Sequence, residues 1–385
     1  MLPGEPSLPE AIFAPNGNAV NQLFDALCQS SDRWLVTQFT ALYKALQIFW
    51  FENHGACCPD CGKNHIIRKG WRPRVLKSSR GRLEFFVMQA NCKACNRTFR
   101  PFTSLSGLPS SRRFLEELVD KAVELAVQVP FGRSARIIKQ LTKGTISHEG
   151  VRRQVAKKAK QIVLPTPNQN KTVLVDSTKV KAGNKKRGAP VHLAITAGPG
   201  PKVAGRKTII KQLLHLHVGG VDPLRTRLKE LQPQHLVHDG GEDYSGCAVK
   251  IQRCNWHLVH QLKHYLWQDG LPFEERDFYQ DSLRTILWDA KNGIANFALF
   301  AEDLDRFGFK TTANHLKGAE SEAFTWVENP GFSYTTTSPL EREMREVNRR
   351  ADVGARWSEK GIENVLLVRF HKRLNENPLG RSQPR

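Results

Sequence analysis

Four cysteines stand in two pairs, Cys58-Pro-Asp-Cys61 and Cys92-Lys-Ala-Cys95. A C-x2-C knuckle turns two thiolates toward one point, and two knuckles complete a tetrahedral S4 site suited to Zn2+. The 30 residues between the pairs exceed the span of a compact finger and fit a ribbon whose knuckles are joined by a β hairpin. Gly62 and Asn96 follow the second cysteine of each pair, and both residue types tolerate the tight turn a knuckle needs. A redox C-x2-C normally stands alone in a thioredoxin-like setting, which argues for Cys58, Cys61, Cys92 and Cys95 as structural ligands. Cys57 is a poorer ligand than Cys58, because only Cys58 keeps the two-residue spacing to Cys61.

Carboxylates form a second candidate set. Asp176 ends the apolar run TVLVD and Asp239 ends HLVHD. Taken singly, each reads as a turn former, since Asp is common after strands. Taken together, acids at the ends of adjacent strands can converge on a divalent cation. A third acid from a later helix would let them hold two Mg2+ or Mn2+ ions for phosphodiester chemistry. Glu320, Glu322, Glu328, Glu341, Glu343 and Glu346 are all candidates for that third place. Cys254 and His257, in the run CNWH, read by spacing alone as a buried cysteine and an incidental histidine.

The elements that must position these groups follow from periodicity and charge. The chain has 385 residues and a net charge of +21, which argues for a polyanionic partner, most often nucleic acid. The excess is concentrated. Residues 51–165 hold 23 basic and 8 acidic side chains, whereas residues 1–50 hold 2 and 4. With 40% hydrophobic residues the chain has the composition of a folded protein, and no apolar run reaches the ~18 residues of a membrane span. The N-terminus lacks the build of a signal peptide, so a cytoplasmic protein is expected.

Apolar spacing predicts an N-terminal helical segment over 1–51, with loose residues at its start and two helices between Asn18 and Phe51. A zinc ribbon is expected over 52–104 and a helix-turn-helix domain over 110–165. Ser147 sits at an N-cap position before HEGVRRQVAKKAKQI. That helix and the one before it offer Arg133, Arg152, Arg153, Lys157 and Lys158, with Lys160, as contacts to double-stranded DNA. After the linker PTPNQN the pattern becomes three strands, a helix and a fourth strand, an α/β layout. Residues 255–335 read as mainly helical, two more helices follow near 339–350 and 360–374, and 376–385 reads as a disordered tail.

Four motifs stand in a telling order: VDSTKVK at 175–181, HDGGEDY at 238–244, CNWHLVHQL at 254–262 and SPLEREMREVNRR at 338–350. Together they resemble the core of a DDE transposase of the Mutator-like superfamily, which includes bacterial and archaeal insertion-sequence enzymes. The resemblance covers about 171–370, with 63 residues from Asp to Asp and 102 from Asp to Glu. It implies an RNase H-like catalytic domain over 171–375, with a helical insertion at about 255–335. It implies that Asp176, Asp239 and Glu341 are the catalytic triad, and that Cys254 and His257 are the family's C-x2-H pair. Many relatives place an Asn near the Glu, where this chain has Pro339-Leu340. The expected activity is metal-dependent cleavage and transfer of DNA at the ends of an insertion element, with element ends and target DNA as partners and a homo-oligomer as the working form. A DNA-binding regulator with an inactive RNase H-like domain and a structure-specific nuclease are the alternatives.

Overall fold

The computed structural model describes residues 18–54, 57–101, 113–166, 171–183, 188–202, 205, 207–353 and 355–377. The loose start expected before Asn18, most of the PTPNQN linker and the tail from 378 lie outside those residues. The chain divides into two compact units, Met1–Glu124 with Phe131–Val151 and Leu125–Pro130 with Arg152–Arg385.

The first unit begins with one long helix, α1 (Asn18–His54), where two were expected. Neither Gly nor Pro interrupts those residues, so nothing in the sequence breaks the helix between Leu27 and Leu35. Its buried Tyr43 and Gln47 rest on a ribbon made of β1 (Ile66–Ser78), β2 (Gly81–Cys92) and β3 (Thr98–Phe99), all antiparallel. The Gln47 amide takes the place of a strand there. Its Nε2 donates to the Phe86 carbonyl at 2.9 Å, and the Met88 N–H donates to its Oε1 at 2.8 Å. The ribbon's core is small: Leu76, Phe85 and Val87 with Tyr43. Three helices follow in sequence, α2 (Glu116–Ala126), α3 (Phe131–Leu141) and α4 (His148–Gln161). Ser147 caps α4 as its position suggests, its Oγ accepting from the Gly150 N–H at 3.1 Å.

The second unit is mixed α/β. Its strands are β4 (Thr172–Val180), β5 (Ala189–Pro199), β6 (Ile209–Val218), β7 (His235–His238) and β8 (Lys250–Arg253). They lie in the order β6-β5-β4-β7-β8. The first three run antiparallel, and β4, β7 and β8 run parallel. Helix α5 (Asp222–Leu231) makes the crossover from β6 to β7, packing Leu224, Leu228 and Leu231 with Val173, Val175 and Leu236. β8 escapes a sequence reading because KIQR has neither length nor alternation; pairing to β7 makes it a strand. Asp176 does not end its strand, as TVLVD suggested. β4 runs on to Val180 because β5 continues to pair with it as far as Ala189.

Helices α6 (Asn255–Gln268), α7 (Arg276–Trp288), α8 (Gly293–Arg306), α9 (Lys310–Lys317), α10 (Glu320–Ala323) and α11 (Thr325–Glu328) follow β8. They enclose their own apolar cluster, centred on Leu258, Leu262, Leu283, Phe297 and Leu316. α12 (Ser338–Ala351) then returns to pack against β4, and α13 (Glu359–Phe370) lies against β6. Buried Arg350 on α12 donates to the carbonyls of Ala126 at 2.7 Å, Val127 at 3.0 Å and Val129 at 3.1 Å. Burial lowers its pKa to about 10, so the guanidinium keeps the charge that strengthens those bonds.

Candidate functional site

The four cysteines meet. Cys58, Cys61, Cys92 and Cys95 bring their sulfurs within 4.8 Å of one another, with Cys58 to Cys95 at 3.5 Å and Cys61 to Cys92 at 3.6 Å. A tetrahedron of thiolates about 2.3 Å from a zinc ion has edges of about 3.8 Å, so this is the spacing of a metal site and not of a disulfide. The cluster can hold a metal ion such as zinc. Each knuckle is closed by the backbone: the Gly62 N–H donates to the Cys58 carbonyl at 2.9 Å and the Cys92 N–H to the Arg97 carbonyl at 2.8 Å. Gly62 at φ 68° and Asn96 at φ 58° take the left-handed turns that their residue types allow. Cys57 is exposed, and its thiol meets the Asn64 side chain instead of the cluster.

The acids are set by strand register. β4 and β7 pair in parallel with Val175 beside His238, so Asp176, still within β4, and Asp239, the first residue past β7, occupy the next positions. Asp176 is 7% exposed, and its Oδ1 accepts from the Ser177 N–H at 2.8 Å. Asp239 is half-buried, and its Oδ1 accepts from the Gly241 N–H at 3.0 Å. Burial, then the charge of Asp239 and a shared hydrogen bond with it, and finally the charge of Glu341, raise the Asp176 carboxyl to about 7. Among the described residues neither aspartate has an ion-pair partner. Unlike the sulfurs, the three carboxylates do not form a group whose ligand atoms all lie within 4.8 Å of one another.

Helix periodicity sorts the glutamates. Glu341 is exposed on the stripe of α12 that carries Asn348, whose Oδ1 accepts from Thr178 Oγ1 on β4 at 3.3 Å. Arg345 reaches Glu341 only at 3.7 Å. Glu343 is buried against Lys211 at 2.8 Å and Arg373 at 3.2 Å. Glu346 is held by Arg349 at 2.6 Å and Arg369 at 2.7 Å. Glu322 accepts from the ring of His238 at 3.0 Å, with Arg253 at 4.0 Å. Those three acids already have cations or a histidine. Glu320 and Glu328 are exposed on the two short helices. Gly240 leaves the room for Arg253: at φ 87°, any Cβ on it would lie 1.5 Å from the guanidinium carbon.

Cys254 and His257 are joined through a residue that no motif announced. The Thr337 N–H and Oγ1 donate to the Cys254 sulfur at 3.3 and 3.5 Å, and Oγ1 lies 3.2 Å from His257 Nδ1. A Thr immediately before Ser-Pro was the available signal, because it marks a helix start. Burial lowers the His257 pKa against the charges of Asp239 and Glu341, so the ring and those acids lie close enough to interact. The DNA candidates Arg133, Arg152, Arg153, Lys157, Lys158 and Lys160 are all exposed, Arg133 on α3 and the others on α4.

No protein-family model matches the chain, and no curated protein matches it. The functional reading therefore stands on residues and geometry.

Proposed function

We propose that this chain is a DDE-type transposase that binds the ends of an insertion element and cuts and rejoins DNA. One observation carries the reading. Asp176 on β4 and Asp239 directly after the end of β7 follow the last paired residues of two parallel strands, and Glu341 on a later helix is near enough to repel Asp176. A strand order of β6-β5-β4-β7-β8, with only the last two strands parallel to β4, supports an RNase H-like fold. An aspartate repelled by two further acids, with neither aspartate paired to a cation among the described residues, suits Mg2+ or Mn2+. Oxygen donors of this kind are what hard divalent cations select.

Bound there, a pair of such ions would supply an activated water and stabilise the departing 3′ oxygen. The chain's own part is to hold the oxygens in place. Strand register fixes the two aspartates, and α12 carries the glutamate across β4. Burial of Asp176 lowers the local dielectric, and fixed charges there count for more than in water. The exposed cations of α3 and α4 would grip element DNA, and the four-thiol site would hold Zn2+ as the structural ion of the ribbon.

The test is cleavage of a supercoiled plasmid carrying the DNA that flanks the reading frame on both sides. Asp176→Ala, Asp239→Ala and Glu341→Ala should each bind that DNA normally. Each should lose cutting and joining by at least ~10²–10³-fold, the loss expected when a principal electrostatic group is removed. Binding without cutting by the unaltered chain would make it a regulator, and cutting without need of the flanks would make it a nuclease.

A further inference from the structure

We propose that Thr337 is a positioning residue that locks the Glu341 helix to the Asp239 strand, using Cys254 as the shared anchor and His257 as the brace. This rests on the reading of Asp176, Asp239 and Glu341 as a divalent-cation site.

Thr337 stands immediately before α12, where Thr normally turns its hydroxyl onto the helix's own first N–H groups. Here it makes no such bond. The residue is 2% exposed, and both its N–H and its Oγ1 are directed at the Cys254 sulfur, with Oγ1 also 3.2 Å from His257 Nδ1. With Oγ1–H donated to sulfur, the remaining contact is satisfied by an Nδ1–H on His257. The hydroxyl therefore both ties down the helix start and sets the tautomer of the ring. Trp256 packs edge-on against that ring with centroids 4.9 Å apart, which leaves it little freedom to turn.

Cys254 is fully buried and faces the other way through its backbone. Its N–H donates to the carbonyl of His238 at 2.8 Å, the residue before Asp239. The next residue repeats the tie, the Asn255 N–H donating to the Thr335 carbonyl at 3.2 Å. Asp239 thus lies one residue from one end of this chain of bonds, and Glu341 lies four residues, about one helical turn, from the other. The strand and the helix otherwise belong to stretches of sequence about a hundred residues apart. A hydrogen-bonded link through Cys254 fixes a separation that divalent ions would read to a fraction of an ångström.

The experiment is Mn2+ titration by calorimetry on the full zinc-loaded chain, with melting temperature and DNA affinity measured alongside. Thr337→Val keeps the shape and loses the hydroxyl, whereas Thr337→Ser keeps it. Val should weaken Mn2+ binding by roughly 10- to 100-fold, the range for groups that orient metal ligands. Ser should stay within about threefold, and DNA affinity should not change for either. A folded Val variant with unaltered Mn2+ affinity, or a Ser variant as weak as Val, overturns the proposal. If Val does not fold, Cys254→Ala removes the acceptor of both Thr337 bonds, and unaltered Mn2+ affinity there overturns it equally. Asp176→Asn and Glu341→Gln serve as the reference. Should they bind Mn2+ like the unaltered chain, the cation-site reading itself fails, and the role of Thr337 fails with it.

Discussion

At the scale of single residues, Asp176 is a carboxyl that the fold places under electrostatic stress. Its carboxyl is raised to about 7 by burial and then by Asp239 and Glu341, so the folded chain holds a proton that the unfolded chain releases above ~4. The stability linked to that proton is present in full below ~4 and is lost as pH rises toward 7. In buffer without added Mg2+, Asp176→Asn should therefore melt above the unaltered chain, and the gap should widen between pH 5 and pH 7.5. Millimolar Mg2+ should narrow it by stabilising the unaltered chain alone. Melting curves at the two pH values decide the matter: a gap that stays constant with pH would show that Asp176 is not strained. The glutamates of α12 show how local partners assign roles. Glu343 and Glu346 are held by Lys211, Arg369 and Arg373, which leaves Glu341 with the most freedom to bind something else.

At the scale of elements, the ribbon depends most on something besides its own core. Leu76, Phe85, Val87 and Tyr43 are few for a sheet of three strands, and two of its ends are tied by the cysteine knuckles. With so small an apolar cluster, a metal ion bound at the thiol site would be expected to supply much of the ribbon's stability, as it does in minimal metal-held folds. Removing the metal with a strong chelator should raise the rate of amide exchange across β1 and β2 while β4 to β8 keep their protection. Cys58→Ser or Cys95→Ser should do the same without chelator. Exchange in β1 and β2 that ignores both treatments would mean the ribbon holds without metal. The helices after β8 contrast with this, since they enclose a larger cluster of buried Leu, Ala and Phe side chains.

At the scale of the whole molecule, charge is concentrated in one stretch of the chain. Residues 51–165 carry 15 of the 21 net positive charges, and the exposed cations of α4 lie within them. Binding to DNA by such a surface releases counterions, with about 0.9 of log–log salt slope for each phosphate contact. Replacing Arg152, Arg153, Lys157 and Lys158 by Ala should reduce the slope by about one unit or more and weaken binding at ~0.15 M salt by at least ~10-fold. Fluorescence anisotropy across a salt series measures both. Should slope and affinity both survive, α4 is a solvated helix. Outside the charge count, no described helix is long and apolar enough to cross a membrane.

What the amino-acid order determined by itself was whatever depends on short spacing. Two C-x2-C pairs defined a four-thiol cluster because a knuckle is a local turn, and Gly62 and Asn96 were legible as its left-handed residues. Helix starts at Ser147 and near Pro339 were legible for the same reason, as were the apolar strands that became β4, β5 and β6. What depends on distant pairing was not. α1 runs on as one helix because nothing local breaks it, and β8 is a strand only because β7 lies beside it. Of six acids with equal claims on spacing alone, packing committed Glu343, Glu346 and Glu322 to cations or a histidine and left Glu341 within reach of the charge on Asp176. Thr337 is the clearest case. Its side chain matters through Cys254 and His257, some eighty residues earlier, and only the return of α12 to the sheet brings those atoms within bonding distance.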